Sequence, residues 1–338
     1  MKGTSAPLTL RPYQLLCIIC SRGEEGRAPT NEKLAGIIEA IERNPDLPIT
    51  LACNAGDVYV YQDPGTQEGA KRAGAASHPE GADFNRKRDL DILQKLDLPP
   101  GCILPARILF RHLLNMIKTV VGICGYESAT SADWVGCPKA KSGSYENGHR
   151  KGITGLIPPR SEQELAREKG ASLRALYETK AVRIRPHILL CAVCQYGSGV
   201  RPPFKPDNLP ELVEMVLTKK PDIPVTLVRG ADWMMCAPCA ARVPELNACV
   251  CGPIGSGGLY NELKDLNVLQ RAGLTYGTTM KARSLFKLLL EKIPTIVGIC
   301  ALRNDGKAPN SFWWDPCGEK KPPTNYEKGR EALLEELR

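Results

Sequence analysis

The pattern of apolar and polar positions first divides the chain into segments, and then shows that the segments occur twice. Short continuous apolar runs at Leu15–Ile19 and Leu189–Val193 have strand length and predict buried strands. Each precedes a stretch with apolar residues three and four apart, Leu34, Ile37, Ile38 and Ile41 in the first case and Leu209, Leu212, Val213 and Val216 in the second, which predicts an amphipathic helix. Further strands are expected at Ile49–Ala52 and Val225–Val228, each entered through a proline, Pro48 or Pro224, a residue that suits a strand start better than its middle. Two more helices then follow in each half, near Arg86–Leu96 with Ala106–Ile117 and near Glu262–Arg271 with Lys281–Glu291.

The correspondence extends to the residues themselves. "RPYQLLCIIC" at Arg11–Cys20 returns as "RPHILLCAVC" at Arg185–Cys194, and "NPDLPITL" at Asn44–Leu51 as "KPDIPVTL" at Lys220–Leu227. "RDLDILQKLDL" at Arg88–Leu98 returns as "KDLNVLQRAGL" at Lys264–Leu274, and "VVGIC" ending at Cys124 as "IVGIC" ending at Cys300. Four matched blocks in one order make the chain a tandem duplication. The expected fold class is mixed α/β, a duplicated β-α-β unit followed by two helices, with cysteine loops that bind metal. Between the copies "GLIPPR" breaks the pattern, and Ser161 with Glu164 forms a capping box for a helix ending near Tyr177. The expected domains are residues 1–155, a linker helix within 156–183, and residues 184–338.

Cysteine usage then points to chemistry. The chain has 14 cysteines in 338 residues, a length that can bury real cores without disulfide staples. Met1–Pro12 offers no apolar leader core and Leu15–Ile19 is too short to span a bilayer, so a cytoplasmic, reducing location and no membrane association are expected. In that compartment clustered cysteines are metal ligands or redox centres more often than disulfides. The duplication sorts them. Cys17, Cys20, Cys124 and Cys137 in the first copy match Cys191, Cys194, Cys300 and Cys317 in the second, with the C-x-x-C pair expected at a strand end. A further four, Cys236, Cys239, Cys249 and Cys251, lie in "CAPCAARVPELNACVC", where the first copy has no cysteine and Tyr61 and Pro64 stand at the positions of Cys236 and Cys239. Cys53 and Cys102 remain as buried apolar fillers.

Three sets of four thiols, oxidation-prone and mutually repulsive as thiolates, are explained by bound cations. The second pair of the extra set is C-x-C within glycine-rich loops, which favours iron-sulfur clusters, [4Fe-4S] by preference, over zinc, the alternative. The second copy, with "RPHILLC", "CAPC", "KDLNVLQRAGL", "GIC" and a closing tryptophan-plus-cysteine segment, resembles a family of small prokaryotic cysteine-rich domains of unknown function described as iron-sulfur binding. That likeness covers most of residues 185–318 and, more weakly, 11–137; it implies iron-sulfur binding and no particular reaction.

The remaining features narrow the function. The net charge of +8 comes from 45 scattered basic residues without an interleaved aromatic platform, which argues against nucleic acid and suits an acidic redox partner or an anionic substrate. His187 reads as a packed, hydrogen-bonded histidine, and Gly252, Gly255, Gly257 and Gly258 as a loop without dinucleotide spacing. Trp134, Trp313 and Trp314 lie near Cys137 and Cys317, where indoles would exclude water from a cluster. The expectation is an iron-sulfur protein with about three clusters, serving electron transfer to a redox partner protein or acting as a redox subunit. The alternatives are an iron-sulfur oxidoreductase or lyase with an open iron in the C-terminal domain, and a zinc-stapled interaction module.

Overall fold

A computed structural model describes residues 7–24, 31–53, 80–199, 207–252, 255–300 and 322–337. The chain divides into two compact units, Met1–Pro159 and Arg160–Arg338.

In the first unit β1 (Leu8–Leu10) leads directly into α1 (Pro12–Gly23), followed by α2 (Glu32–Arg43) and β2 (Pro48–Leu51). The unit continues with α3 (Ala82–Leu96), β3 (Ile103–Pro105), α4 (Ala106–Met116) and α5 (Ser144–Lys151). The sheet has the order β1-β2-β3, with β1 parallel to β2 and β3 antiparallel to it. A β-α-β crossover is therefore present, and the class is mixed α/β as expected.

Its first strand lies upstream of the run that predicts it. Leu15–Ile19 is helical, and so is Leu189–Val193 in the second unit. Leu15, Leu16, Ile18 and Ile19 are all buried, so the helix has apolar residues on every side and shows no 3.6-residue stripe. The correct signal is Pro12 at the first helical position after the extended Arg11, where its fixed φ and missing N–H cost nothing. The third strand, too short at three residues to show an alternation, lies in neither expected element.

The second unit begins with α6 (Glu162–Glu178), capped by Ser161, whose hydroxyl accepts from the Glu164 N–H at 3.1 Å. This helix belongs to the second unit rather than to a free linker, because Leu176 is fully buried in that unit's core. Then come β4 (Val182–Ile184), α7 (Pro186–Ser198), α8 (Leu209–Val213), whose last turn loosens into a π-helical segment over Glu214–Lys219, and β5 (Pro224–Leu227). A cysteine-bearing segment follows, a single turn α9 (Trp233–Cys236) and a hairpin of β6 (Arg242–Val243) and β7 (Ala248–Cys249). The unit ends with α10 (Gly257–Ala272), β8 (Thr279–Lys281), α11 (Ala282–Lys292) and α12 (Pro322–Glu336). Its sheet, β4-β5-β8, repeats the pairing of the first.

Each unit also has a closing helix beyond the two expected ones. Tyr145 on α5 donates to Ile117 O at 2.6 Å, and Tyr326 on α12 donates to Ile293 O at 2.7 Å. Both helices press backbone to backbone on the cysteine-bearing helix. A Cβ at Gly148 would stand 2.0 Å from Ile19 O, and one at Gly329 would stand 2.1 Å from Val193 O. Among the described residues no helix is long and apolar enough to cross a membrane.

Candidate metal centres

The two C-x-x-C pairs lie on helices, which corrects the expected strand-end placement. On α1, Cys17 and Cys20 are one turn apart and share a face. Cys124 ends the turn after α4, and the Cys137 N–H donates to its carbonyl at 2.8 Å, tying the last two cysteines together. Burial pushes the Cys17 thiol up to about 12 despite Arg88, with Cys137 adding to the rise. Cys124 is likewise raised to about 12 by burial, opposed by Arg88 and reinforced by Cys17 and Cys137. Cys20 is raised by burial and by Cys17, Cys124 and Cys137. Residues from opposite ends of the first copy are thus near enough that each resists the ionisation of its neighbours.

One buried cation stands beside this set. Arg88 is 1% exposed and forms a bidentate pair with Glu80 at 2.8 and 3.0 Å, with its guanidinium 4.3 Å from the centre of the Tyr13 ring. Cys137 opens onto a cleft of about 180 Å³ lined by Tyr126 and Trp134 among others.

In the second unit the segment from Cys236 to Cys251 folds on its own turns. The Cys239 N–H donates to Cys236 O at 3.0 Å, closing a tight turn at the end of α9. Arg160 Nη1 donates to both Ala237 O and Cys239 O at 2.9 Å and fixes that turn. The β6–β7 hairpin brings Cys249 back beside it: the Arg242 N–H donates to Cys239 O, and Arg242 pairs with Cys249 across the ladder. Cys249 Sγ donates to Cys251 Sγ at 3.2 Å. This bond holds the Cys251 pKa down to about 6 against burial, helped by the Tyr260 hydroxyl, Lys264 and Asn261, whereas Cys249 is raised by the same bond and by burial. Burial, Asp232 and Cys239 raise Cys236, and the charge of Cys251 is felt at Cys239. Gly257 at the start of α10 is required here, since a Cβ would lie 2.2 Å from Cys251 Sγ.

The shared set of the second unit is described for three of its members. Cys191 and Cys194 are on α7, and Cys194 and Cys300 both act on the Tyr326 phenol, as Cys20 and Cys124 act on Tyr145 in the first unit. Cys317, Trp313, Trp314, Tyr61 and Pro64 lie outside the described residues. Of the two expected fillers, Cys53 is fully buried and Cys102 is half-buried. Among the described residues no three His, Cys, Asp or Glu side chains are gathered closely enough to hold a metal ion. The donors nevertheless suit one: burial, only partly offset by Arg88, keeps most of the thiols protonated, and a bound metal would favour their thiolate forms.

Sequence reasoning overlooks the clasp beneath each site. Arg11 Nε donates to Asp89 Oδ2 at 2.8 Å, and Asp89 Oδ1 accepts from the Tyr13 N–H in the first turn of α1. In the second unit Arg185 donates to Asp265 Oδ2 at 2.6 and 2.8 Å, and Asp265 Oδ1 accepts from both the His187 N–H and its Nδ1. The signal was present, since Asp89 and Asp265 are identical in the "RDL" and "KDL" blocks. A second missed signal is Y-E-x-G, at Tyr145–Gly148 and Tyr326–Gly329, which marks the closing helices. Comparison with protein-family models, with curated proteins and with solved structures finds no match to the chain.

Proposed function

We propose that this protein binds about three cysteine-ligated iron-sulfur clusters and serves electron transfer, as a carrier or as a redox subunit. What supports it is that Cys17, Cys20, Cys124 and Cys137, more than a hundred residues apart in the chain, lie near enough for their charges to be felt by one another, as do Cys236, Cys239, Cys249 and Cys251. In this reading each of those sets holds one cluster, and Cys191, Cys194, Cys300 and Cys317 hold the third. A cluster stores and passes single electrons. The chain's own residues bury the ligands, exclude water and place Arg88 and Lys264 where thiolate charge would accumulate. The cleft in front of Cys137 gives the first site a route to a redox partner.

A second reading rests on one asymmetry. Only the second unit has a histidine on its clasp, where His187 holds Asp265 through Nδ1. An iron-sulfur enzyme with its reacting centre in that unit would use such an oriented imidazole, and a substrate-dependent change in the cluster spectrum would select it.

The deciding measurement is iron, zinc and acid-labile sulfide on protein purified without oxygen, with the visible spectrum of the same sample. Roughly twelve iron and twelve sulfide per chain are expected for three [4Fe-4S] clusters. About three zinc without sulfide would overturn the redox reading in favour of a zinc-stapled module.

A further inference from the structure

We propose that Tyr260, Asn261 and Lys264, on one face of α10, are positioning residues that compensate the charge of the Cys249–Cys251 pair and so allow both thiols to bind metal as thiolates. The inference rests on the reading of Cys236–Cys251 as a metal site. Tyr260 Oη lies 3.0 Å from Cys251 Sγ, and Asn261 Nδ2 donates to Cys251 Sγ at 3.7 Å and to Cys249 Sγ at 3.9 Å. Lys264 is 9% exposed, stands 4.7 Å over the Tyr260 ring and donates to Asn261 Oδ1 at 3.4 Å.

The duplication supplies the internal control. The same face of α3 carries Phe84, Asn85 and Arg88 in place of Tyr260, Asn261 and Lys264. There the hydroxyl is missing and the cation is already neutralised by Glu80, which holds Arg88 in two hydrogen bonds. Ser256 replaces Glu80 in the second copy, and Lys264 forms no ion pair among the described residues. A buried ammonium without a carboxylate is costly unless an anion faces it. The copy that lost the carboxylate and gained a phenol is the copy that has the C-x-C pair. The three donors and the thiols therefore form one unit, with Lys264 as its cation and Asn261 steering both sulfurs.

The test uses the full chain, stripped of metal under reducing conditions and titrated with Zn²⁺ alone at pH 7. Protection of Cys249 and Cys251 from iodoacetamide is read by peptide mass spectrometry. The Zn²⁺ concentration for half-protection should rise about tenfold in Lys264→Met and a few-fold in Tyr260→Phe, as for other residues that orient metal ligands. Lys287→Met, the same charge loss on the exposed face of α11, should leave it unchanged. A shift below twofold in Lys264→Met, with the fold intact by circular dichroism, overturns the proposal. If Zn²⁺ protects neither cysteine in the wild-type chain, it is the metal reading of this stretch that fails. The role of Tyr260, Asn261 and Lys264 is then judged on the metal-free thiols: about tenfold slower alkylation of Cys251 in Lys264→Met supports it, and equal rates overturn it.

Discussion

Asp265 shows how much one side chain carries at the residue scale. Its carboxylate, fully buried, takes the Arg185 guanidinium, the His187 ring and the His187 backbone N–H at once. Burial raises its pKa, but His187 and Arg185 together more than offset that, so it is held below the ordinary 3.8. A carboxyl depressed in the folded state stabilises fully above its unfolded value and loses that contribution as pH falls through the folded one. Asp265→Ala should therefore cost about 3–5 kcal/mol near neutral pH, because it leaves Arg185 buried without its partner. The gap to wild type should narrow as pH drops below 3.8, which thermal melts at pH 7 and pH 3 would read. A gap that is constant with pH would assign Asp265 a packing role only. Asp89 behaves differently, with burial outweighing Arg11 and Arg88 and raising its pKa, since Tyr13 gives it a backbone N–H but no side-chain hydrogen bond like that of the His187 ring.

At the scale of elements, the cysteine helix and the closing helix form the joint on which each shared site depends. α7 and α12 cross where Gly197 faces Gly329, so close that a Cβ on Gly329 meets the Val193 carbonyl rather than a side chain able to swing away. Gly329→Ala should destabilise the second unit by about 1–3 kcal/mol, the usual cost of overpacking. It should also speed hydrogen exchange in α7 while leaving α1 unchanged; equal exchange in both variants would show the crossing to be slack. This joint was legible in part. The helical period announced α2 and the start of α8, and the capping box at Ser161 set the start of α6 correctly, because those signals are local. The cysteine helices were missed because burial on all sides erases the stripe, and the three-residue strands because they are defined by partners rather than by their own residues. The candidate ligands were legible from the repeat, while the clasp was not: Asp89 and Asp265 sit inside helical blocks where an aspartate ordinarily faces solvent, and only the fold turns them inward.

At the scale of the whole molecule, duplication followed by divergence would account for the three sites proposed. The two units share their sheet, clasp and closing helix, and the segment between β5 and α10 carries Cys236 to Cys251, where the first copy, at equal length, has no matching cysteines. That segment is anchored on its own terms, through Arg160, the β6–β7 hairpin and the Asp232 cap, which accepts from the Met235 N–H at 2.9 Å. The second core is built mainly from residues outside it, from Leu189 and Leu190 on α7 to Leu285, Phe286 and Leu289 on α11. A site that is structurally separate in this way should be separable by mutation. Replacing Cys236 and Cys239 with serine should remove about a third of the bound metal, leave the visible features of the other two sites, and keep the far-ultraviolet circular dichroism of the wild type. Loss of all metal would show that the three sets are not independent and that the grouping of the cysteines is wrong. Retention of the full complement would remove Cys236 and Cys239 from the ligand set, and with them the metal-binding role proposed for this segment.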